Sequence, residues 1–164
     1  METLAAIAQR HSTRAYSQRP VDKGMVEKIV NAGRLAPTGR NEQPWEFVVV
    51  TKEETRKKVA SLVENGRFIG EAPVCVLVLC RNTTYYVEDG SAAAANMLNA
   101  AADLGVHSCW VAGDKKHYAT AVLETIKAPA EIKLVALLAF GYAAGPETRK
   151  NKRSLEEVLH WEAY

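Results

Sequence analysis

The stretch from Glu88 to Leu104 is Ala-rich and carries almost no polar face before Gly105 closes it. A helix that is apolar nearly all round cannot lie on a wet surface, so it must be covered on most sides. Just upstream, Pro73 to Cys80 is the most continuous apolar run in the chain. That pattern reads as a strand buried on both faces. Together the two segments demand a sheet with helices on its faces. At 164 residues the chain is long enough to bury roughly 70% of its unfolded surface. Residues 1–164 read as one domain, with no repeat, low-complexity tract or linker.

The remaining elements fall around this core. An amphipathic helix shows Leu4, Ala5, Ile7 and Ala8 on one face. A second is predicted from the N-cap Asp22 to Leu35. Turn formers from Ala36 to Glu42 lead through Gln43-Pro44-Trp45 into a buried strand, Phe47 to Val50. A charged helix follows from Lys52 to Asn65, with Asn65-Gly66 as its stop. Strands are expected over Val106 to Ala112 and Leu134 to Phe140, with a short helix between them around Tyr118 to Ile126. Ser154 and Glu157 form a capping box for a last helical turn. Two helices ahead of any strand are unusual for a doubly wound fold, so the class is α+β or α/β with one covered sheet.

Several function classes drop out. A net charge of +2 gives no reason to expect nucleic acid as a partner. No apolar run approaches the roughly 20 residues of a membrane span. The early Glu2 and short Ala-rich start argue against a signal peptide. Cys75, Cys80 and Cys109 lie in apolar segments without a Cys-x-x-Cys pair, which fits free thiols in a reducing cytoplasm. Neither a dinucleotide-binding Gly-x-Gly-x-x-Gly nor a P-loop is present. The four histidines show no metal-ligand spacing, and no metal is expected. Cys109, two residues from His107, reads as structural because nothing obvious lowers its pKa.

Four polar segments beside Gly or Pro remain. In Arg10-His11-Ser12-Thr13-Arg14, one more helical turn would put both guanidinium forks on one side with Ser12 between them. Such a trio can clamp a phosphate; it can also be a solvated helix end whose cations complement the macrodipole. In Pro37 to Gln43, Thr38 and Gly39 allow close approach, and the amide edges of Asn41 and Gln43 can read a heterocycle. The alternative is a plain turn with Trp45 as a core aromatic. At Trp110 to Asp114, small residues at a strand end leave backbone N–H groups for a ligand, while Asp114 also suits an N-cap. Arg149 to Arg153 is a basic block, either solvated or aimed at one phosphate. Phosphate donors and amide edges without a catalytic acid, base or metal point to a bound organic cofactor that brings the reactivity.

In this order the segments resemble the FMN-dependent nitroreductase family. The likeness rests on Arg10 to Arg14, Ala36 to Trp45, Glu88 to Leu98, Leu104 to Trp110 and Phe140 to Tyr142, and it runs from about Leu4 to Val158. The resemblance implies a three-layer α/β/α fold with a central, mostly antiparallel sheet and a two-fold dimer. It implies FMN held at its phosphate and ribityl end by Arg10, His11, Ser12 and Arg14. Pro37, Thr38, Gly39 and Asn41 would reach the flavin from the other subunit. The backbone of Ala112 and Gly113 would approach the flavin N5, Lys150 and Lys152 would meet the phosphate, and Asn65 or Arg67 the pyrimidine edge. The helix from Ala92 to Leu104 would lie between subunits. NADH or NADPH would reduce the flavin, and nitroaromatics, quinones or related small acceptors would reoxidise it in a ping-pong cycle that needs no side-chain nucleophile. A dehydrogenase, dehalogenase or flavin-fragmenting enzyme on the same cradle is the nearest alternative, and a flavin-free binding module using the basic tail is the other. Only eight residues separate Cys80 from Asp89, where longer members insert helices over the flavin.

Overall fold

The computed structural model describes residues 2–147 and 149–164. Among these residues five α-helices and four strands follow in the order α1 (Thr3–Gln9), α2 (Lys23–Arg34), β1 (Trp45–Val50), α3 (Glu53–Leu62), β2 (Val74–Arg81), α4 (Tyr86–Asp103), β3 (His107–Ala112), α5 (Ala119–Thr125) and β4 (Ile132–Gly141), with short 3-10 turns at Gly39–Asn41 and Arg67–Gly70. The strands form one sheet in the order β1-β2-β4-β3, with every neighbouring pair antiparallel.

The two central strands explain the longest apolar runs. Successive side chains of a strand point to opposite faces. Thus Cys75, Leu77 and Leu79 of β2 meet Val59 and Val63 from the α3 segment and Val122 of α5. Val74, Val76, Val78 and Cys80 instead join Val26 and Ile29 of α2 and Ala93 and Met97 of α4. Every residue of β2 but Arg81 is buried. Burying a Val or Leu side chain contributes about 1.5–3 kcal/mol, so such a strand commits the chain to both cores at once. The result is three layers: α2 and α4, the sheet, then α3 and α5.

Asp22 caps α2 as its side chain dictates, accepting from Gly24 N–H and Met25 N–H at 2.8 and 3.2 Å. Gly105 ends α4 at φ 70°, with the Val106 N–H returning to Ala101 O at 2.8 Å.

Elsewhere the structure corrects the sequence reading. β1 starts at Trp45, a buried core aromatic, but it is an edge strand and Val49 stays 41% exposed. α3 stops at Leu62 rather than Asn65 because Val63, fully buried, turns extended to drive its side chain into the core. The last turn expected after Ser154 is present as a single turn. Glu157 Oε2 accepts the Ser154 N–H at 2.7 Å, and Val158 and Leu159 return to Leu155 O. Residues 149–164 are all exposed, so no packed face carries that turn further. Last, β4 bulges at Val135: Val78 pairs with Ala136 but Leu79 with Leu134. The extra residue shapes the end of β3.

Candidate functional site

α1 ends at Gln9, so the predicted helical turn through Arg14 does not form. The chain instead runs beside β3. Ser12 bridges Ser108 in parallel, and Thr13 N–H donates to Ser108 O at 3.0 Å. Residues two apart share one side of an extended segment. Arg10, Ser12 and Arg14 are therefore brought to one side by a period of two rather than by a helical turn. Thr13, on the other side, is fully buried, while Ser12 and Arg14 are exposed. The Arg14 guanidinium reaches back to Ser12 O at 3.4 Å.

At the start of this segment a cavity of about 150 Å³ is lined by Arg10, His11, His107, Ser108 and Arg149. Ala102, in the last turn of α4, forms part of its wall. A helix C-terminus carries partial negative charge, so the cavity's positive character comes from side chains. Of the basic block it is Arg149 that lines the cavity; Lys150 and Lys152 are exposed and not part of the wall.

Beside it lies a cluster the sequence did not foreshadow. His11 Nε2 meets Glu147 Oε2 at 2.6 Å, and His107 Nε2 lies 3.8 Å from the same oxygen. His11 Nδ1 faces Gln9 O at 2.9 Å, so both its ring nitrogens face acceptors within the fold. Ala143 N–H donates to His107 Nδ1 at 3.3 Å, which leaves the proton of a neutral His107 ring on Nε2, toward Glu147. The three ligand atoms lie within 4.8 Å of one another. Burial works to raise the Glu147 pKa, but the neighbouring Thr13 hydroxyl, the His11 hydrogen bond and the nearby imidazoles outweigh it and hold the carboxyl below its usual value.

Further along β3 the backbone alternates. Ser108 turns its carbonyl to the N-terminal segment, so Trp110 and Ala112 also direct their backbone groups away from β4. The Ala112 N–H thus faces the open sheet edge, and its carbonyl accepts the Tyr118 hydroxyl. Gly113 differs from expectation. Its N–H and that of Asp114 both donate to Val135 O, at 3.0 and 3.3 Å, because the bulge presents that carbonyl to the strand end. The Gly113 N–H is spent within the fold. Asp114 does not cap α5, which begins after Tyr118. It accepts the Tyr86 hydroxyl at 2.6 Å, and this bond, then burial, pushes the phenol up to about 12. Cys109 is buried, and burial raises its thiol pKa against the opposing pull of Arg14, which fits the structural role.

The Pro37–Asn41 loop lies elsewhere. Thr38 Oγ1 and Gly39 N–H both donate to Asp89, at the start of α4. Ala102, on the cavity wall, is at the other end of that helix. At 1.5 Å per residue the two positions are about 20 Å apart, so one chain does not bring the loop to the Arg10 cavity. Asn65 and Arg67 are both exposed beyond α3; Arg67 lines a separate groove with Gln18 and Arg56. His107, Glu147 and Asp89 were not read as site residues. Arg149 was visible only as one of several cations in its block.

A protein from Methanothermobacter thermautotrophicus, named as a candidate NADH dehydrogenase/NAD(P)H nitroreductase, is 34% identical over 115 residues, covering 67% of this chain and 60% of that one. A protein with the same designation from Archaeoglobus fulgidus is 34% identical over 148 residues, 86% of this chain and 85% of the relative. A Desulfovibrio desulfuricans structure, described as a candidate nitroreductase in complex with FMN, superposes with a TM-score of 0.87 at 30% identity, covering 100% of this chain and 98% of that one. The family model described as the nitroreductase family matches residues 7–66 and 64–142. The chain belongs to the nitroreductase family.

Proposed function

We propose that the chain is a single FMN-binding domain that works as half of a homodimeric oxidoreductase, taking electrons from NADH or NADPH and passing them to nitroaromatics, quinones or related small acceptors. The observation that carries this reading is the sheet edge along β3. It has a cationic cavity at one end and an outward N–H at the other, with Ser108 and Ala112 separated by about 13 Å of strand. A phosphate-terminated, flat, polar-edged molecule suits that run.

FMN supplies the redox chemistry when bound, accepting hydride equivalents from a nicotinamide and releasing electrons to the acceptor. The chain's own residues bind and orient it. Arg10 and Arg149 would hold the phosphate, with His11 lining the cavity wall beside them; planar guanidinium forks suit that geometry. Ser12 and Arg14, on the same side of the extended segment, would continue the contact toward the ribityl chain and ring. The Ala112 N–H would donate to the ring near N5, a fixed dipole where negative charge builds on reduction. Lys150, Lys152, Asn65 and Arg67 fit this scheme less well than Arg149 does, given where they sit.

Incompleteness of the single chain supports a dimer. Within one chain α4 holds Pro37, Thr38, Gly39 and Asn41 about 20 Å from the Arg10 cavity, and a second chain would bring them to it. A two-fold contact that runs α4 beside its copy would exchange the two ends. Ala95 is exposed and Ala92, Asn99 and Ala102 are half-buried on that helix, whereas Ala93, Met97 and Ala101 are consumed by the chain's own core. Exposed apolar side chains support a partner: Leu4 at 80% on α1 and Trp161 at 79% in the C-terminal segment. No helix among the described residues is long and apolar enough to cross a membrane. The three buried free cysteines fit a reducing compartment such as the cytoplasm.

The test is a visible spectrum of the purified protein before and after anaerobic NADH and NADPH. A bound flavin that bleaches with a nucleotide supports the reading and identifies the donor; a colourless protein that takes up no added FMN overturns it. R10A/R14A should release FMN while leaving a folded dimer by sedimentation, because both side chains point away from the core.

A further inference from the structure

We propose that Asp89 is a positioning residue that fixes the Thr38–Gln43 loop in the conformation it needs to meet the cofactor of the partner subunit; the part concerning cofactor rests on the function proposed above. Asp89 is buried, 4% exposed, and no ion pair holds it among the described residues. A buried carboxylate is costly unless its oxygens are used. Both are. Oδ2 accepts the Thr38 hydroxyl and Oδ1 accepts the Gly39 N–H, each at 2.9 Å. Thr38 Oγ1 in turn accepts the Gln43 N–H at 3.1 Å. One carboxylate thereby ties down both ends of the loop.

The loop needs tying. Arg40, Asn41 and Gln43 all have positive φ, 54°, 56° and 46°. Three non-glycine residues so close together in the left-handed region persist only when the surroundings over-determine them. The N-cap residue of α4, Tyr85, supplies a second restraint. A Cβ on Gly39 would lie 2.8 Å from Tyr85 Cδ2, so the ring closes directly on the glycine backbone. Held between Asp89 and Tyr85, the loop presents exposed Arg40 and Asn41 outward. The exposed pair and the internal Gln43 Nε2 to Asn41 Oδ1 bond at 3.1 Å are the preformed face a partner's ligand would meet. An ordinary role for Asp89 would be an acid in the first turn of a helix, favoured by the macrodipole.

The experiment compares D89A and D89N in the FMN-loaded protein, with amide hydrogen exchange measured alongside FMN titration. D89N keeps an acceptor for Gly39 N–H and an amide that can donate to Thr38 Oγ1. The expected result is loss of exchange protection at Gly39 and Gln43 in D89A, with α4 still protected. FMN affinity should fall about tenfold or more in D89A and stay within about threefold in D89N. Equal behaviour of the two variants, with a lowered Tm but unchanged loop exchange and FMN affinity, would leave only the helix-end role and overturn the proposal. If D89A does not fold, T38V serves instead, since it cuts the link to Gln43 and leaves Asp89 bonded to Gly39; unchanged Gln43 exchange there would also overturn it. Should the wild type bind no FMN while D89A still frees the loop, the positioning role stands and the cofactor assignment falls.

Discussion

Met97 is fully buried where α4 packs on α2, and it sits over Gly33. A Cβ built on Gly33 would lie 2.3 Å from Met97 Cε and 2.9 Å from Met97 Cγ. Neither residue can change without the other noticing, which makes a double-mutant cycle decisive. M97A removes three side-chain heavy atoms from a packed site and should cost about 3 kcal/mol, within the range of about 2–5 for such truncations. G33A gains about 1 kcal/mol of helix propensity. Against that stands overpacking of about 1–3 kcal/mol, for a net loss of about 1. Independent effects would give a loss of about 4 kcal/mol for the pair. In the double mutant, however, the new methyl enters the space vacated by Met97. The clash with Met97 vanishes, leaving only a 3.3 Å approach to Ala93 O, while part of the void is refilled and the helix gain remains, so the expected loss is about 1–2 kcal/mol. Urea unfolding of the four proteins measures this directly. M97A should also melt about 6–12 °C lower than wild type, and the double mutant should recover at least half of that shift. A double mutant as unstable as the additive figure, or worse, would refute the argument that these two positions share one volume.

Gly105 has φ 70° but nothing within 4 Å of an added Cβ, so G105A should cost only the backbone term, about 1 kcal/mol by thermal or urea unfolding. A larger loss would mean that the site is crowded after all. The Glu147 carboxyl is held below its ordinary pKa in the folded chain. A depressed acid stabilises fully above its unfolded pKa and loses that contribution as pH falls through the folded value. The stability gap between wild type and E147Q should therefore be widest near neutrality and close in acid; a gap that grows on acidification would contradict the sign. The Tyr86 phenol is pushed up to about 12. Ultraviolet titration should show one tyrosine ionising near there, and D114N should bring it back toward 10 because that substitution removes the acceptor charge.

The sequence by itself determined the elements and their covering. The continuous apolar run from Pro73 to Cys80, a polar-faceless helix after Glu88, Asp22 as cap and Gly105 as stop all report local physics: side-chain polarity, an acceptor for free N–H groups, a residue tolerant of positive φ. The family followed from motif order for the same reason, since each motif is contiguous. Tertiary structure alone decided what depended on distant partners. Arg10, Ser12 and Arg14 share a side because Ser108 lies beside Ser12 and draws the segment out of helix, and no window around residue 12 contains that neighbour. The bulge at Val135 consumes the Gly113 N–H, a fact written on a different strand. His107 and Glu147 meet His11 across more than ninety residues of chain, and Asp89 reaches back about fifty to hold Gly39. Even the edge position of β1, which leaves Val49 in solvent, reflects pairing order rather than composition. Local chemistry names the pieces; only the packed sheet determines which backbone groups remain for a ligand.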